Sequence, residues 1–366
     1  MTSSAPPTTT NANESGETSE EPASKWGIAS PSTTLFDFDY TGGREQLLRL
    51  YDKGTRRQWI GSDRLDWSLD VDLDNPVGLP DDINPLFGTE WWDKMDEARK
   101  GEVRRHFEAW RFSQFMHGEQ GALICTAKIV QTVPDIDSKF YAATQVIDEA
   151  RHVEVYSRYL HEKVQLTYPL NPNLKSLLDD VISDSRWDMT YLGMQVLIEG
   201  LALAAFGIIR NMAQEPLAKA LNAYVMQDEA RHVMFGRLAL RDYYPQLTQA
   251  ERDEREEFCV EACYRMRDRF LGEEVWERLE LPPEVAPYVE NSETLQVFRS
   301  YLFMRIVPIL KDIGLWGPKI RSAFEDMGVI SFAETDIDQE MADDEAAAEE
   351  YDKTRMAHVN AVADLA

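Results

Sequence analysis

The pentapeptide Asp-Glu-Ala-Arg-His occurs twice in this chain, at 148–152 and at 228–232, an offset of 80 residues. Glu119 and Glu199 coincide at the same offset. Each half therefore holds a lone Glu followed 30 residues later by Glu-x-x-His: Glu119, Glu149 and His152, then Glu199, Glu229 and His232. On a helix, the i to i+3 spacing puts carboxylate and imidazole on one face, so a single helix can offer two ligands to one metal pair. Hard carboxylate oxygens with one imidazole nitrogen per metal suit Fe or Mn. Four carboxylates balance two divalent cations, which offsets the cost of burying them. The pattern assigns Glu149 and Glu229 as bridges, Glu119 and Glu199 as terminal ligands, and His152 and His232 as one nitrogen ligand per metal. A single Glu-x-x-His could equally sit on a solvated helix face. Glu119 and Glu199, however, interrupt apolar or small-residue stretches, where an unpaired charge would cost several kcal/mol.

Such a site needs four helices to carry it. Helical periodicity runs from about Asp96 to Gln131, Asp137 to Lys163, Leu174 to Asn211 and Pro216 to Tyr243. Pro134 with Asp135 ends the first, Pro169 and Pro172 separate the second from the third, and Pro216 suits the first turn of the fourth. With a turn centred near Pro134, Glu119 and Glu149 each lie 15 residues from it. At about 1.5 Å per residue they reach equal height on an antiparallel pair. Glu199 and Glu229 do the same about a turn near Gln214. The expected fold class is all-α, with a four-helix bundle over 96–243 and additional flanking helices.

The flanks read differently. Residues 1–24 are rich in Ser, Thr, Pro, Gly and Glu and are expected to form a disordered tail. Residues 25–95 carry one helical pattern, Arg44 to Trp59, then an irregular segment punctuated by Pro76, Gly78, Pro80 and Pro85 that could cover one end of the core. Additional C-terminal helices are expected over 244–335. Residues 336–366 begin with an acidic run, Asp336 to Glu350, and are expected to be a solvated tail, with docking of a partner as the alternative.

With 65 acidic against 38 basic residues, the net charge of −27 argues against nucleic acid or an anionic membrane surface as a partner. The longest nearly apolar stretch, Val196 to Ile209, is short for a membrane span and carries Glu199, so it reads as a buried helix. Three cysteines and no signal-like apolar N-terminus point to the cytoplasm. Cys259 and Cys263, one helical turn apart, could hold a soft metal, but no His or further Cys lies near them in sequence and buried packing is the simpler reading.

Residues Asp96 to Tyr243 resemble the ferritin-like di-iron carboxylate superfamily, whose helices supply Glu, Glu-x-x-His, Glu and Glu-x-x-His in that order. In motif style the chain is closest to bacterial di-iron monooxygenase hydroxylase and N-oxygenase proteins. That resemblance implies that Asp148 and Asp228 accept a hydrogen bond from a histidine ligand while Arg151 and Arg231 hold the carboxylates. A surface i to i+3 salt bridge is the alternative for each Asp/Arg pair. Three positions depart from or qualify the pattern. Leu203 stands where the hydroxylases carry a Thr, and Val225 stands where the arylamine N-oxygenases add a third His. Tyr156 matches the radical tyrosine of ribonucleotide reductase small subunits, or is simply a pocket or core residue.

The resemblance implies an O2-activating non-haem di-iron oxygenase, with Mn/Fe as an alternative metal content. It would hydroxylate or N-oxygenate a small apolar or aromatic substrate. Small residues beside the ligands, Gly118, Gly121, Ala122, Gly200 and Ala202, either leave room for that substrate or let helices pack closely. No dinucleotide-binding Gly-rich motif and no iron–sulfur cysteines are evident, so a separate reductase or ferredoxin would supply electrons. A homodimer is compatible with the sequence. A desaturase or other oxidase, a radical subunit and a ferroxidase remain the alternatives.

Overall fold

The computed structural model describes residues 25–363. The expected disordered tail, 1–24, lies outside the described residues. Among these the regular structure is entirely helical, with no strand. The elements that matter here are α1 (Glu45–Arg56), α2 (Glu97–Thr132), α3 (Ile136–Arg158), α4 (Pro172–Ser183), α5 (Trp187–Met212), α6 (Pro216–Tyr243), α7 (Gln249–Asp268) and α8 (Ile337–Ala363). Short helices fill the stretch between α7 and α8.

Four of these make the bundle, and each start is set by local chemistry. Asp96 caps α2 by accepting from the Arg99 N–H, and Asp135 caps α3 by accepting from the Ser138 N–H. Pro216 opens α6, with the Glu215 carboxylate accepting from both Leu217 and Ala218 N–H groups. Short turns fold α2 back on α3 and α5 back on α6, and α3 packs against α6 to join the two hairpins. Helix α1 lies across α3 and α6.

The third helical pattern, expected to run unbroken from Leu174 to Asn211, is two helices. Helix α4 stops at Ser183 because Asp184 leaves helical geometry and its Oδ1 accepts from the Arg186 N–H. The carbonyls freed at that end are taken up by buried Lys128 of α2, whose Nζ donates to Ile182 O at 2.7 Å and also to Asp184 O. Helix α5 widens into π geometry over Leu192–Ile198, directly before Glu199. It is long and apolar enough to cross a membrane, yet 83% of its apolar window is buried within this fold. It is the central core helix.

The irregular N-terminal segment pins the α5–α6 turn. Backbone N–H groups of Gln214 and Glu215 donate to Gly78 O and Val77 O at 3.2 Å each. Gly78 has φ +66, and a Cβ there would lie 2.7 Å from Glu215 N, so only glycine fits.

The acidic C-terminal stretch is not a solvated tail. It forms α8, which packs on α6 and buries Ile337 and Met341. Its carboxylates meet a set of cations: Asp338 pairs with Arg237, Glu345 with Lys53, and Glu349 with Arg57. Arg305 reaches Glu340 at 2.8 Å and Asp344 at 2.7 Å. The charge run reads as solvated only until its partners, scattered over α1, α6 and the loop before Ile306, are brought alongside.

Candidate metal centre

The six residues of the two triads converge inside the bundle. Ligand atoms of Glu119, Glu149, His152 and Glu229 all lie within 4.8 Å of one another, as do those of Glu149, Glu199 and His232. Glu149 belongs to both groups. His152 Nδ1 sits 3.1 Å from Glu119 Oε2, 3.1 Å from Glu229 Oε1 and 3.5 Å from Glu149 Oε2. His232 Nδ1 sits 3.1 Å from Glu149 Oε1 and 3.4 Å from Glu229 Oε1. Both Glu149 and Glu229 therefore lie between the two imidazoles, as a bridging carboxylate must. Every one of the six is buried.

The far nitrogen of each imidazole faces an aspartate of the other repeat. His152 Nε2 is 3.1 Å from Asp228 Oδ2, and His232 Nε2 is 3.3 Å from Asp148 Oδ2. This orientation leaves each Nδ1 facing the glutamates. Arg151 pairs with Asp148 and reaches Asp228 at 3.4 Å, and Arg231 pairs with Asp228 and reaches Asp148 at 3.7 Å. The carboxylates these arginines hold are the two aspartates. All four groups are buried, so the surface salt-bridge alternative does not describe them.

Three contributors carry no motif and were not apparent from the sequence. Gln58 Nε2 donates to Asp148 Oδ1 at 2.7 Å, and Trp59 Nε1 donates to Asp228 Oδ2 at 2.8 Å. Both follow α1 and are bound in turn by Arg151, which donates to Gln58 Oε1 and Trp59 O at 2.8 Å each and lies over the Trp59 ring. The third is Gln145, fully buried one turn before Glu149. Its Nε2 donates to Glu149 Oε1 at 2.9 Å and to Glu199 Oε1 at 3.0 Å. The only signal available was a Gln at the i−4 position on the ligand face.

Burial dominates the electrostatics. It pushes the Glu119 and Glu199 carboxyls well above their ordinary value, reinforced by Glu229 and Glu149 beside each. Glu149 is driven the other way: burial opposes its charge, but His232 and His152 hold it as a carboxylate. Burial opposes charge on both imidazoles, yet the surrounding carboxylates raise their pKa well above the usual value, led by Asp228 and Glu119 at His152 and by Glu149 and Glu229 at His232.

A donor set this rich leaves atoms unsatisfied. Glu149 Oε2, Glu199 Oε2 and both Glu229 oxygens are buried with no hydrogen-bond donor, and His232 Nδ1 makes no well-aligned hydrogen bond. Orphaned buried acceptors of this kind are costly unless something positive satisfies them. Two cations sharing Glu149 and Glu229 fit that requirement.

Beside the carboxylates runs a narrow cleft lined by Phe115, Gly118, Ala122, Met194, Ala202 and Phe206, with Gln114, Ile198 and Arg269 completing its walls. The small residues divide between the two roles foreseen for them. A Cβ at Gly118 would meet nothing within 4 Å, whereas at Gly121 it would strike Leu178 Cδ2 at 2.5 Å and at Gly200 it would touch Ile306. Gly118, Ala122 and Ala202 leave room, and Gly121 and Gly200 allow close packing.

Tyr156 is buried within an aromatic cluster of Phe112, Phe115 and Phe206, and its hydroxyl donates to Asn222 Oδ1 at 3.1 Å. Leu203 and Val225 are core residues. Cys259 and Cys263 are buried free thiols, pushed up in pKa by that burial, and join no metal-binding cluster among the described residues.

An antiparallel four-helix bundle that encloses two Glu/Glu-x-x-His triads defines a ferritin-like dimetal carboxylate protein. Within that class, the chain belongs to the p-aminobenzoate N-oxygenase AurF family, whose pattern matches residues 41–314. The family is one of di-iron oxygenases, so the chain is an oxidoreductase with a two-metal centre. Solved structures similar to it include two single-site variants of an R2-like ligand-binding oxidase with anaerobically reconstituted Mn/Fe cofactor. Each is 16% identical. One covers 76% of this chain and 96% of its own with a TM-score of 0.47, the other 77% and 96% with a TM-score of 0.45. No curated protein matches the chain.

Proposed function

We propose that this chain is a di-iron N-oxygenase of a small aromatic amine, using O2 and electrons from a separate reductase or ferredoxin. The observation that carries the reading is the convergence of the two triads on shared Glu149 and Glu229 within a chain of the AurF family. In this reading Glu119, Glu149, His152, Glu199, Glu229 and His232 hold two iron ions, with Mn/Fe as the alternative content. The bound metal pair supplies the redox chemistry that cleaves O2 reductively. One oxygen atom passes to the substrate nitrogen and the other leaves as water, with two electrons and two protons from the donor.

The chain's own residues set the conditions for that chemistry. Asp148 and Asp228 each lie where they accept from an imidazole Nε2–H, which would leave both Nδ1 lone pairs free to hold the two metal ions. Gln145 ties Glu149 to Glu199 and restricts how far either carboxylate can swing. Phe115, Met194, Ile198 and Phe206 give the cleft beside the carboxylates apolar walls around a volume of only about 20 Å³, so a flat ring enters only as these side chains move apart.

Val225 favours a second reading. It stands where the arylamine N-oxygenases place a further His, and an oxidase that removes electrons without inserting oxygen would not need that ligand. Mass spectrometry of products from 18O2 turnover with an arylamine and a generic reductase separates the two. One labelled oxygen in the product supports N-oxygenation, and substrate oxidation without label overturns it.

A further inference from the structure

Helix α6 has a second face that the dimetal centre does not use. Glu229 and His232 join the carboxylate cluster from one side of the helix, whereas Gln227, Ala230, Arg231, Met234, Arg237 and Arg241 recur at helical spacing on another. Between α1 and α8 that second side is open as a groove. Its narrower part, of about 230 Å³, and its wider part, of about 740 Å³, share Leu50, Lys53, Met234 and Asp338, so the two are continuous.

The chain bears a net charge of −27, yet the wider part of the groove is lined by five cations, Arg49, Lys53, Arg56, Arg237 and Arg241, against two carboxylates, Asp52 and Asp338. Lys53 and Arg237 are taken up by Glu345, Asp338 and Asp312. The other three are not. Arg56 and Arg241 have no ion pair among the described residues, and Arg241 donates instead to the neutral Gln46 Oε1 at 3.1 Å. Arg49 reaches Glu45 at 3.4 Å with both side chains largely exposed, a kind of pair that contributes little. The narrower part of the groove is lined by Arg231, whose guanidinium pairs with Asp228 and reaches Asp148, the two aspartates that face the histidines. A body seated in the groove is therefore separated from the dimetal centre by the single helix α6, about 10–12 Å across with its side chains.

We propose that the groove between α1 and α8 is the docking site of an acidic electron-carrier protein, held by Arg49, Arg56 and Arg241. This rests on the reading of the dimetal centre as a redox site supplied with electrons from outside. Most of this acidic surface repels such a carrier. At physiological salt, however, charges more than about 8 Å away are largely screened, and the local cations decide where it lands. Charge complementarity of this kind steers the encounter and fixes the orientation. Two dockings supply the two electrons of the proposed reaction, each oxidising one reduced iron–sulfur cluster of the carrier by one electron, and the two protons come from water.

Surface plasmon resonance of the metal-loaded protein with an oxidised, acidic [2Fe–2S] ferredoxin tests the assignment without turnover. The parent should bind it, and more weakly as salt rises from about 0.05 to 0.5 M. The combined variant Arg49→Glu, Arg56→Glu, Arg241→Glu should lower the association rate and the affinity by at least about ten-fold and lose most of the salt dependence. The same three positions changed to Gln serve if the glutamate form does not fold, with a smaller loss in the same direction. A control with an equal change in net charge at exposed lysines outside the groove, Lys25→Glu, Lys94→Glu, Lys319→Glu, should stay within about two-fold of the parent. No ferredoxin binding, unchanged binding by the groove variant, or equal weakening by the control overturns the proposal. Binding of a basic cytochrome c in place of the ferredoxin, unaffected by the groove variant, assigns the carrier to the acidic remainder of the surface and overturns it too. Dithionite, a small reductant that needs no docking, should reduce the loaded centre equally fast in parent and variants, and a groove variant slowed with dithionite as well places the defect in the centre and ends the docking role. Metals counted on the same samples keep two failures apart: a parent lacking two metals per chain sinks the oxygenase reading, and a loaded parent indifferent to the groove charges sinks the docking site.

Discussion

The two halves of the internal repeat carry the same candidate ligands in different surroundings. In the first half, Gln145 stands one turn before Glu149 and ties it to Glu199; its counterpart 80 residues on is Val225, which has nothing to donate. Asp148 is held by an amide, Gln58, whereas Asp228 is held by an indole, Trp59. Glu119 lies on an unbroken α-helix, and Glu199 directly follows a π-helical stretch. The repeat supplies each half with a matched set of candidate ligands. The differences mean that the two sites need not have equal affinity or equal freedom to move, which suits a centre where one metal binds and the other adapts.

The largest effect expected from breaking this symmetry is at the shared ligand. Glu149→Ala should strip both metals because Glu149 belongs to both clusters, while Glu119→Ala should leave the Glu199/His232 metal in place. Metal analysis of the folded variants reads the difference, and retention of two metals by Glu149→Ala would refute the ligand assignment. Next come the aspartates. Asp228→Asn and Asp148→Asn should each weaken metal binding by about 10–100-fold. Both variants should also lose stability to a similar degree, because each aspartate serves one side chain from the end of α1, one histidine and two arginines. Removing one partner of a buried ion pair costs roughly 3–5 kcal/mol. Chemical denaturation of metal-free protein measures that loss.

Acidity should affect both halves in the same direction. Glu119 and Glu199 have their pKa raised above 4.5, and His152 and His232 above 6.5, so all four hold protons in the metal-free protein at pH values where the free side chains have begun to lose them. Metal must displace those protons, so affinity should rise with pH and proton release should accompany binding. Calorimetry in buffers of different ionisation enthalpy counts the protons, and affinity independent of pH would contradict the site. The smallest effect should come from Gln145→Leu, which makes the first half resemble the second. Losing donation to two carboxylates should cost about 1.5–3 kcal/mol of metal-free stability. It should also alter the spectroscopic signature of the metal pair, whereas a signature identical to the parent's would show that Gln145 positions neither carboxylate.

The triads were legible because their information is local. An i to i+3 pair shares a helix face whatever surrounds it, and a 30-residue spacing about a proline-marked turn sets equal heights without knowledge of the rest of the fold. The same locality explains what was missed. Gln58 and Trp59 come from the end of α1, some 90 and 170 residues from the aspartates they bind, and nothing in their neighbourhood marks them. The break at Asp184 depends on Lys128 arriving from another helix to satisfy the freed carbonyls. Helix α8 looked like a solvated acidic run because its cations belong to other elements.

The sequence by itself therefore determined the helical class, the repeat and the six candidate ligands, all of which follow from periodicity along one chain. Only the tertiary structure decided that each histidine is oriented by the aspartate of the opposite repeat, that Gln145 reaches across to Glu199, and that Arg269 lines the cleft with no ion pair among the described residues. These are relations between elements distant in sequence. They arise when burial removes water, so that every polar group left inside must find a partner in another part of the chain or in a ligand.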